Sequence, residues 1–119
     1  MRVGIIGAGQ LGRMIALAGI PLDMAFRFLD PTPNSPAGQF AEQILAPYDD
    51  TEGLTQLAKD CDVVTYEFEN VPVSAAHLLE TQVTLYPPSN ALAIAQDRLS
   101  EKTLFQEQGM GVPPFRKVD

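Results

Sequence analysis

The chain has one cysteine, one histidine and eight basic residues among 119. A lone thiol excludes an internal disulfide and suits a reducing compartment. Cys61 closes an apolar helical stripe, so a small buried side chain is expected there rather than a nucleophile. His77 has no second ligand at metal spacing, which excludes Cys/His metal clusters and leaves a structural helix residue. No nucleophile elbow occurs either. Eight cations against fifteen acids give a formal net charge of -7, and the basic residues do not cluster. Non-specific nucleic-acid binding, which requires Lys and Arg to neutralise phosphates, is therefore not expected. No apolar run approaches the ~20 residues that a membrane-spanning helix needs. Met1-Arg2 runs directly into a strand, without the pattern of a secretory leader. Internal repeats and low-complexity segments are absent. What remains is a cytoplasmic protein of one domain, large enough to bury roughly two thirds of the surface of its unfolded chain.

The organising stretch is Arg2-Val3-Gly4-Ile5-Ile6-Gly7-Ala8-Gly9-Gln10-Leu11-Gly12-Arg13-Met14. A β-branched apolar run meets glycines at 7, 9 and 12, and apolar residues then recur at Leu11, Met14, Ile15 and Ala18, which predicts strand, tight turn and helix. Gly7 permits the turn, Gly9 lets backbone approach a ligand, and Gly12 lets helix pack closely on strand. The helix beginning near Gln10 aims its unpaired N–H groups and positive dipole end at whatever lies above the turn, so an anionic group, most often phosphate, is the first expectation.

Further along, Gly19 and Pro21 stop the first helix, and residues 24–29 predict a second strand. Asp30 then opens a stiff loop with prolines at 31, 33 and 36. Residues 43–46 predict a third strand ended by Pro47. Asp49 or Asp50 caps a helix with Leu54, Leu57, Ala58 and Cys61 on one face. A fourth strand over 62–66 runs into Glu67-Phe68-Glu69-Asn70. Pro72 starts a helix that turns Ala75, Ala76 and Leu79 inward. Residues 83–86 predict a fifth strand, Ser89 caps a short helix, and Asp97 caps a last one over 98–108, closed by Gly109. The tail, 112–119, looks like the beginning of another segment. Strands alternating with helices predict parallel right-handed βαβ units, hence an open parallel α/β sheet with helices on both faces.

Three groups of residues can carry chemistry. Asp30, some twenty residues after the glycines and at the end of the second strand, is placed to hold an adenosine ribose, which makes an NAD-binding module one reading; Pro31 directly after it favours a turn role instead. Glu67 and Glu69 share parity on an extended segment and would point the same way, as acceptors for sugar hydroxyls or an amine, or as a solvated loop. Arg98 sits in the first turn of its helix, against the helix dipole. A free-standing interaction domain with an unused glycine turn is the third reading, marked by an exposed apolar face.

Gly7-Ala8-Gly9-Gln10-Leu11-Gly12-Arg13-Met14, Leu29-Asp30-Pro31 with Ser35-Pro36-Ala37-Gly38-Gln39, Tyr66-Glu67-Phe68-Glu69-Asn70-Val71, and Asp97-Arg98-Leu99-Ser100-Glu101-Lys102 together resemble, in order and spacing, the N-terminal domain of the N5-carboxyaminoimidazole ribonucleotide synthetases. The resemblance implies a Rossmann-like pre-ATP-grasp domain over residues 1–119, with the central and C-terminal ATP-grasp domains lying outside this chain. It also implies an ATP-dependent ligase of purine biosynthesis whose partners are aminoimidazole ribonucleotide, ATP with Mg²⁺, and bicarbonate; a homodimer is compatible with it. By match to the family's motifs, Gly9, Gln10, Leu11 and Gly12 would meet the ribonucleotide, Gln10 and Leu11 at its ribose and phosphate. Glu67 would meet its ribose or amine end, and Arg98 would reach ATP. The proline-loop match favours a family role for Asp30 over an NAD ribose. No catalytic residue and no metal ligand are assigned within this chain. Taken alone it is expected to hold part of the substrate site, to bind no cofactor tightly and to catalyse nothing.

Overall fold

The apolar run at the start of the chain forms β1 (Arg2–Ile6), an inner strand of a computed structural model that describes residues 1–118. β2 (Ala25–Leu29) and β4 (Val63–Tyr66) flank it, and β3 (Glu42–Ile44) lies outside β2, giving a sheet of order β3-β2-β1-β4 in which every pair is parallel. Between the strands run α1 (Gln10–Gly19) and α2 (Thr51–Ala58), and after β4 come α3 (Val73–Glu80), α4 (Ser89–Gln96) and α5 (Arg98–Glu107). No helix is long and apolar enough to cross a membrane among the described residues.

Alternation along the strands builds two cores. Val3, Ile5, Phe26 and Phe28 face α1, while Ile6, Leu29 and Val64 face Leu54 and Leu57 of α2 and Ala76 and Leu79 of α3. Both faces of the sheet are therefore covered, as parallel strands require. On the α2 side Arg27 replaces an apolar residue. Its guanidinium donates to the carbonyls of Gln56 (2.9 Å) and Lys59 (2.6 Å) at the end of α2 and pairs with Glu42 at 2.7 Å, so a cation satisfies a helix C-terminus.

Gly12 packs α1 on the sheet as expected, but the apolar recurrence along the helix lies on its outer face. Leu11, Met14 and Ile15 are exposed, and the residues against the sheet are Gly12, Ala16 and Gly19. The rings of Phe26 and Phe28 fill the space beneath this helix, which leaves room only for small residues. A Cβ at Gly19 would overlap the Phe26 ring. Gly19→Ala is thus expected to cost about 1–3 kcal/mol by overpacking, more than the ~1 kcal/mol that alanine gains over glycine inside a helix. A urea melt showing Gly19→Ala more stable than wild type would contradict this packing.

Two other expectations change. Residues 83–86 do not form a strand; they touch the sheet through one parallel bridge, Val64 with Leu85, carried by Val64 N–H to Thr84 O (2.9 Å) and Tyr86 N–H to Val64 O (3.0 Å). Pro87 and Pro88, which have no N–H to give, stop the ladder there. Ser89 is not the cap of α4 but its first residue, and Glu80 of α3 supplies the cap by accepting from the Ser89 N–H at 2.7 Å and hydroxyl at 2.5 Å. These bonds from Ser89 hold the Glu80 carboxyl below its ordinary value. His77 lies exposed beside it, 3.6 Å away. Cys61 is half-buried just past α2, its thiol donating to Leu57 O, and burial pushes the thiol up. The segment 110–118 has no helix or strand, and Asp119 falls outside the described residues.

Candidate functional site

The turn between β1 and α1 lies at the carboxyl edge of the sheet, where open α/β folds bind ligands. Gly7 adopts φ +96°, a left-handed conformation that glycine alone takes without strain. Its N–H donates to Leu29 O at 2.8 Å, and the next N–H, Ala8, donates to Asp30 Oδ2 at 2.9 Å. Gly9 N–H donates to Glu67 Oε1 at 2.9 Å, and Gly12 N–H donates to Glu67 Oε2. Gly9 holds the N-cap position of α1 without a side chain of its own. Glu67, reaching across from the end of β4, takes the N–H that a capping side chain normally takes.

All three glycines make room for this one side chain. A Cβ at Gly7 would come within 2.5 Å of Glu67 Cγ, one at Gly9 within 2.9 Å of Oε1, and one at Gly12 within 3.0 Å of Oε2. The close approach assigned to Gly9 on sequence grounds is therefore an approach to Glu67. Glu67 is half-buried, whereas Glu69 is exposed, because the chain after Tyr66 turns instead of staying extended and their shared parity is lost. Phe68 packs edge-on against Tyr48, with ring centroids 5.3 Å apart. Between residues 66–69 and the Ala91/Ala95 face of α4 lies a groove of about 380 Å³, largely apolar and open beside Glu67. Gln10 and Leu11 are exposed at the start of α1, Leu11 by 56%.

Asp30 is 6% exposed and fully engaged. Its Oδ2 accepts from Ala8 N–H and from the Tyr48 hydroxyl (2.8 Å), and its Oδ1 accepts from Thr32 N–H (2.8 Å). Gln43 pins the proline loop by donating to Thr32 O at 2.8 Å and accepting from the Ser35 hydroxyl at 2.7 Å. Ala37 N–H closes the loop onto Ala8 O at 2.9 Å. Asp30 thus ties glycine turn, proline loop and Tyr48 together, and the NAD reading loses the carboxylate it needs for a ribose. Tyr48 carried no signal in the sequence beyond following the stop of a strand at Pro47.

Burial raises the Asp30 carboxyl, but hydrogen bonds from Thr32, Ala8 and Tyr48 outweigh it and hold the group below the ordinary 3.8. Burial and the Asp30 carboxylate push the Tyr48 phenol up. Because the folded value of Asp30 is depressed, its contribution to stability is complete above the unfolded value near 3.8 and is lost as pH falls through the folded one. In Asp30→Asn an amide N–H₂ meets one of the three donors. A loss of about 2 kcal/mol at neutral pH is expected, shrinking below about pH 4. Urea melts at the two pH values check it; an undiminished difference in acid would contradict the assignment.

Arg98 lies in another cleft, of about 320 Å³, with Lys102, Phe115, Arg116 and Lys117. Four of the eight basic residues, all from the stretch 98–117, thus line one place together with Asp97, so the basic residues do cluster, contrary to the sequence reading. Lys102 stands over the Phe115 ring at 4.9 Å, and the exposed Arg98 guanidinium pairs with Glu101 at 2.8 Å. Among the described residues no group of three or more His, Cys, Asp or Glu side chains is placed to hold a metal ion.

Sheet order, glycine turn and the acidic side chain lodged in it define a Rossmann-like α/β domain whose glycine turn is occupied by its own carboxylate. A family model for the ribonucleotide synthetase preATP-grasp domain matches residues 1–96. The chain belongs to that family. It is 49% identical over 118 residues to the N5-carboxyaminoimidazole ribonucleotide synthase of Pseudomonas aeruginosa, covering 99% of this chain and 33% of that protein. It resembles the crystal structure of N5-carboxyaminoimidazole ribonucleotide synthetase from Thermus thermophilus with TM-score 0.91 and 55% identity, covering 94% of this chain and 31% of that one. The Aspergillus clavatus synthase in complex with ADP and 5-aminoimidazole ribonucleotide aligns with TM-score 0.81 and 33% identity over 91% of this chain and 29% of that one. The chain spans about a third of the length of the relatives it matches.

Proposed function

We propose that this domain is the ribonucleotide-binding part of an ATP-dependent carbon-nitrogen ligase that carboxylates 5-aminoimidazole ribonucleotide. In that reaction ATP, with Mg²⁺, activates bicarbonate as carboxyphosphate, the amine nitrogen forms a bond to the carboxyl carbon, and ADP and phosphate are released. The observation that carries the reading is the Glu67 carboxylate, fixed at the carboxyl edge by the Gly9 and Gly12 amides with lone pairs left for donors. Ribose hydroxyls are such donors. A relative of this family is known with 5-aminoimidazole ribonucleotide and ADP together. Gln10 and Leu11 flank the bound sugar, and the groove beside Glu67 gives the heterocycle an apolar wall. Arg98, within its basic cleft, faces the nucleotide, whose phosphates the neighbouring Lys102 and Arg116 also suit.

The test is a chimera in which residues 1–96 replace the matching segment of the Thermus thermophilus relative. ADP release dependent on both bicarbonate and aminoimidazole ribonucleotide is expected. A folded chimera that still binds ADP but does not respond to the ribonucleotide would overturn the reading.

A further inference from the structure

The groove beside Glu67 has two walls from different parts of the chain, the segment after β4 and the Ala91/Ala95 face of α4. The first wall has no ladder of its own. Residues 67–72 form neither helix nor strand; their backbone joins the sheet at its start, where Glu67 N–H donates to Ile6 O at 3.1 Å, and ends where Pro72 O accepts from Ala75 N–H at 3.0 Å. Between these points one side chain takes hold. Gln96, the last residue of α4, donates from its amide nitrogen to Glu69 O and to Val71 O, both at 2.6 Å. A primary amide has two N–H donors, and both are used on this one segment. Val71 is itself fully buried, so the clamp ends on a fixed point of the core.

We infer that Gln96 is the positioning residue of the groove: it sets the separation of the two walls and, through the segment it clamps, the place from which Glu67 reaches the glycine turn. Its bearing on substrate rests on the proposed function, which lays the heterocycle in that groove. The nucleotide side does not depend on it. Asp97 caps α5 with its own carboxylate, accepting from Ser100 N–H at 2.6 Å, so Arg98 keeps its place when the Gln96 amide is removed. Loss of the amide is therefore felt at the ribonucleotide and not at ADP. Gln96 is exposed, so truncating it removes the two bonds without opening a cavity.

The first measurement needs no ligand: ¹⁵N relaxation of the chain, read at the amides of Glu67, Phe68 and Asn70. In wild type these are expected near the rigid order parameter of about 0.85, and in Gln96→Ala below about 0.6, with the helices unchanged. Gln96→Lys, whose ammonium offers donors to the same carbonyls and suits a helix C-terminus, is expected to restore most of the order. A role in packing alone would give no such rescue. In the chimera, Gln96→Ala is expected to raise KM for aminoimidazole ribonucleotide roughly tenfold, the size of one misplaced hydrogen bond to a charged group. The accompanying change in kcat should be far smaller, and ADP affinity should not move. Segment order that survives in Gln96→Ala, or order lost with KM unmoved in a chimera that responds to the ribonucleotide, overturns the inference. A wild-type chimera without that response overturns the proposed function instead, and the relaxation data then decide the role of Gln96 on their own.

Discussion

Gly7→Ala is expected to destabilise the domain by roughly 2–5 kcal/mol, the sum of ~1–2 kcal/mol for a left-handed backbone and ~1–3 kcal/mol for overpacking. Gly7 sits at φ +96°, and its missing Cβ would fall within 2.8 Å of three atoms of Glu67. Neither problem can be relieved alone: relaxing the backbone breaks the Gly7-to-Leu29 bond, and moving Glu67 uncaps α1. A fall in Tm of roughly 10 °C or more follows for a domain of this size. Gly9→Ala makes the informative contrast. Gly9 has φ -77°, and only the flexible Glu67 carboxylate lies near its would-be Cβ. It should lose less than half as much stability while displacing Glu67. Equal losses in the two variants would mean that turn geometry alone, and not the seating of Glu67, explains the glycines.

In the chimera, Glu67→Ala is expected to raise KM for aminoimidazole ribonucleotide by about 10²-fold or more, since a hydrogen bond to a charged group contributes ~1.5–3 kcal/mol and a ribose diol can make two. ADP affinity should stay unchanged. Glu69→Ala should behave as wild type, because Glu69 is exposed and its backbone carbonyl, not its carboxylate, receives the bond from Gln96 (2.6 Å). Equal effects of the two substitutions would return the carboxylates to the equivalence that sequence parity suggests.

The parallel α/β architecture was legible because strand runs and helical stripes are distinct in the sequence, with only the proline loop standing where a helix would separate β2 from β3, and each helix of the first half has a stop or cap written in Gly, Pro or Asp. The orientation of α1 was not. Leu11, Met14 and Ile15 look like an inward stripe until Phe26 and Phe28, more than ten residues away in sequence, occupy that space and leave only Gly12, Ala16 and Gly19 able to approach. Long-range packing overrode a local pattern. At the site, the glycine turn and Glu67 could each be singled out, but their contact joins residues 55 and 58 apart in sequence, which no local pattern encodes. Asp30 was ambiguous for the same reason: its spacing fits an NAD ribose, and only the bonds from Ala8, Thr32 and Tyr48 show it consumed by the scaffold. The four cations of the basic cleft fall within residues 98–117 and were open to view as a cluster; their meeting was not, because Arg98 and Lys102 lie on α5 and only the path of the segment after it brings Arg116 and Lys117 alongside.

Whether the glycine turn and Glu67 form a ribonucleotide site is decided by following backbone amides while the chain is titrated to millimolar levels with aminoimidazole ribonucleotide, and separately with NAD. Saturable shifts from the ribonucleotide are expected at Gly9, Gly12 and Glu67, lost in Glu67→Ala, with none from NAD. Saturable NAD shifts that reach Asp30, or ribonucleotide titration that leaves the turn unmoved, would contradict such a site.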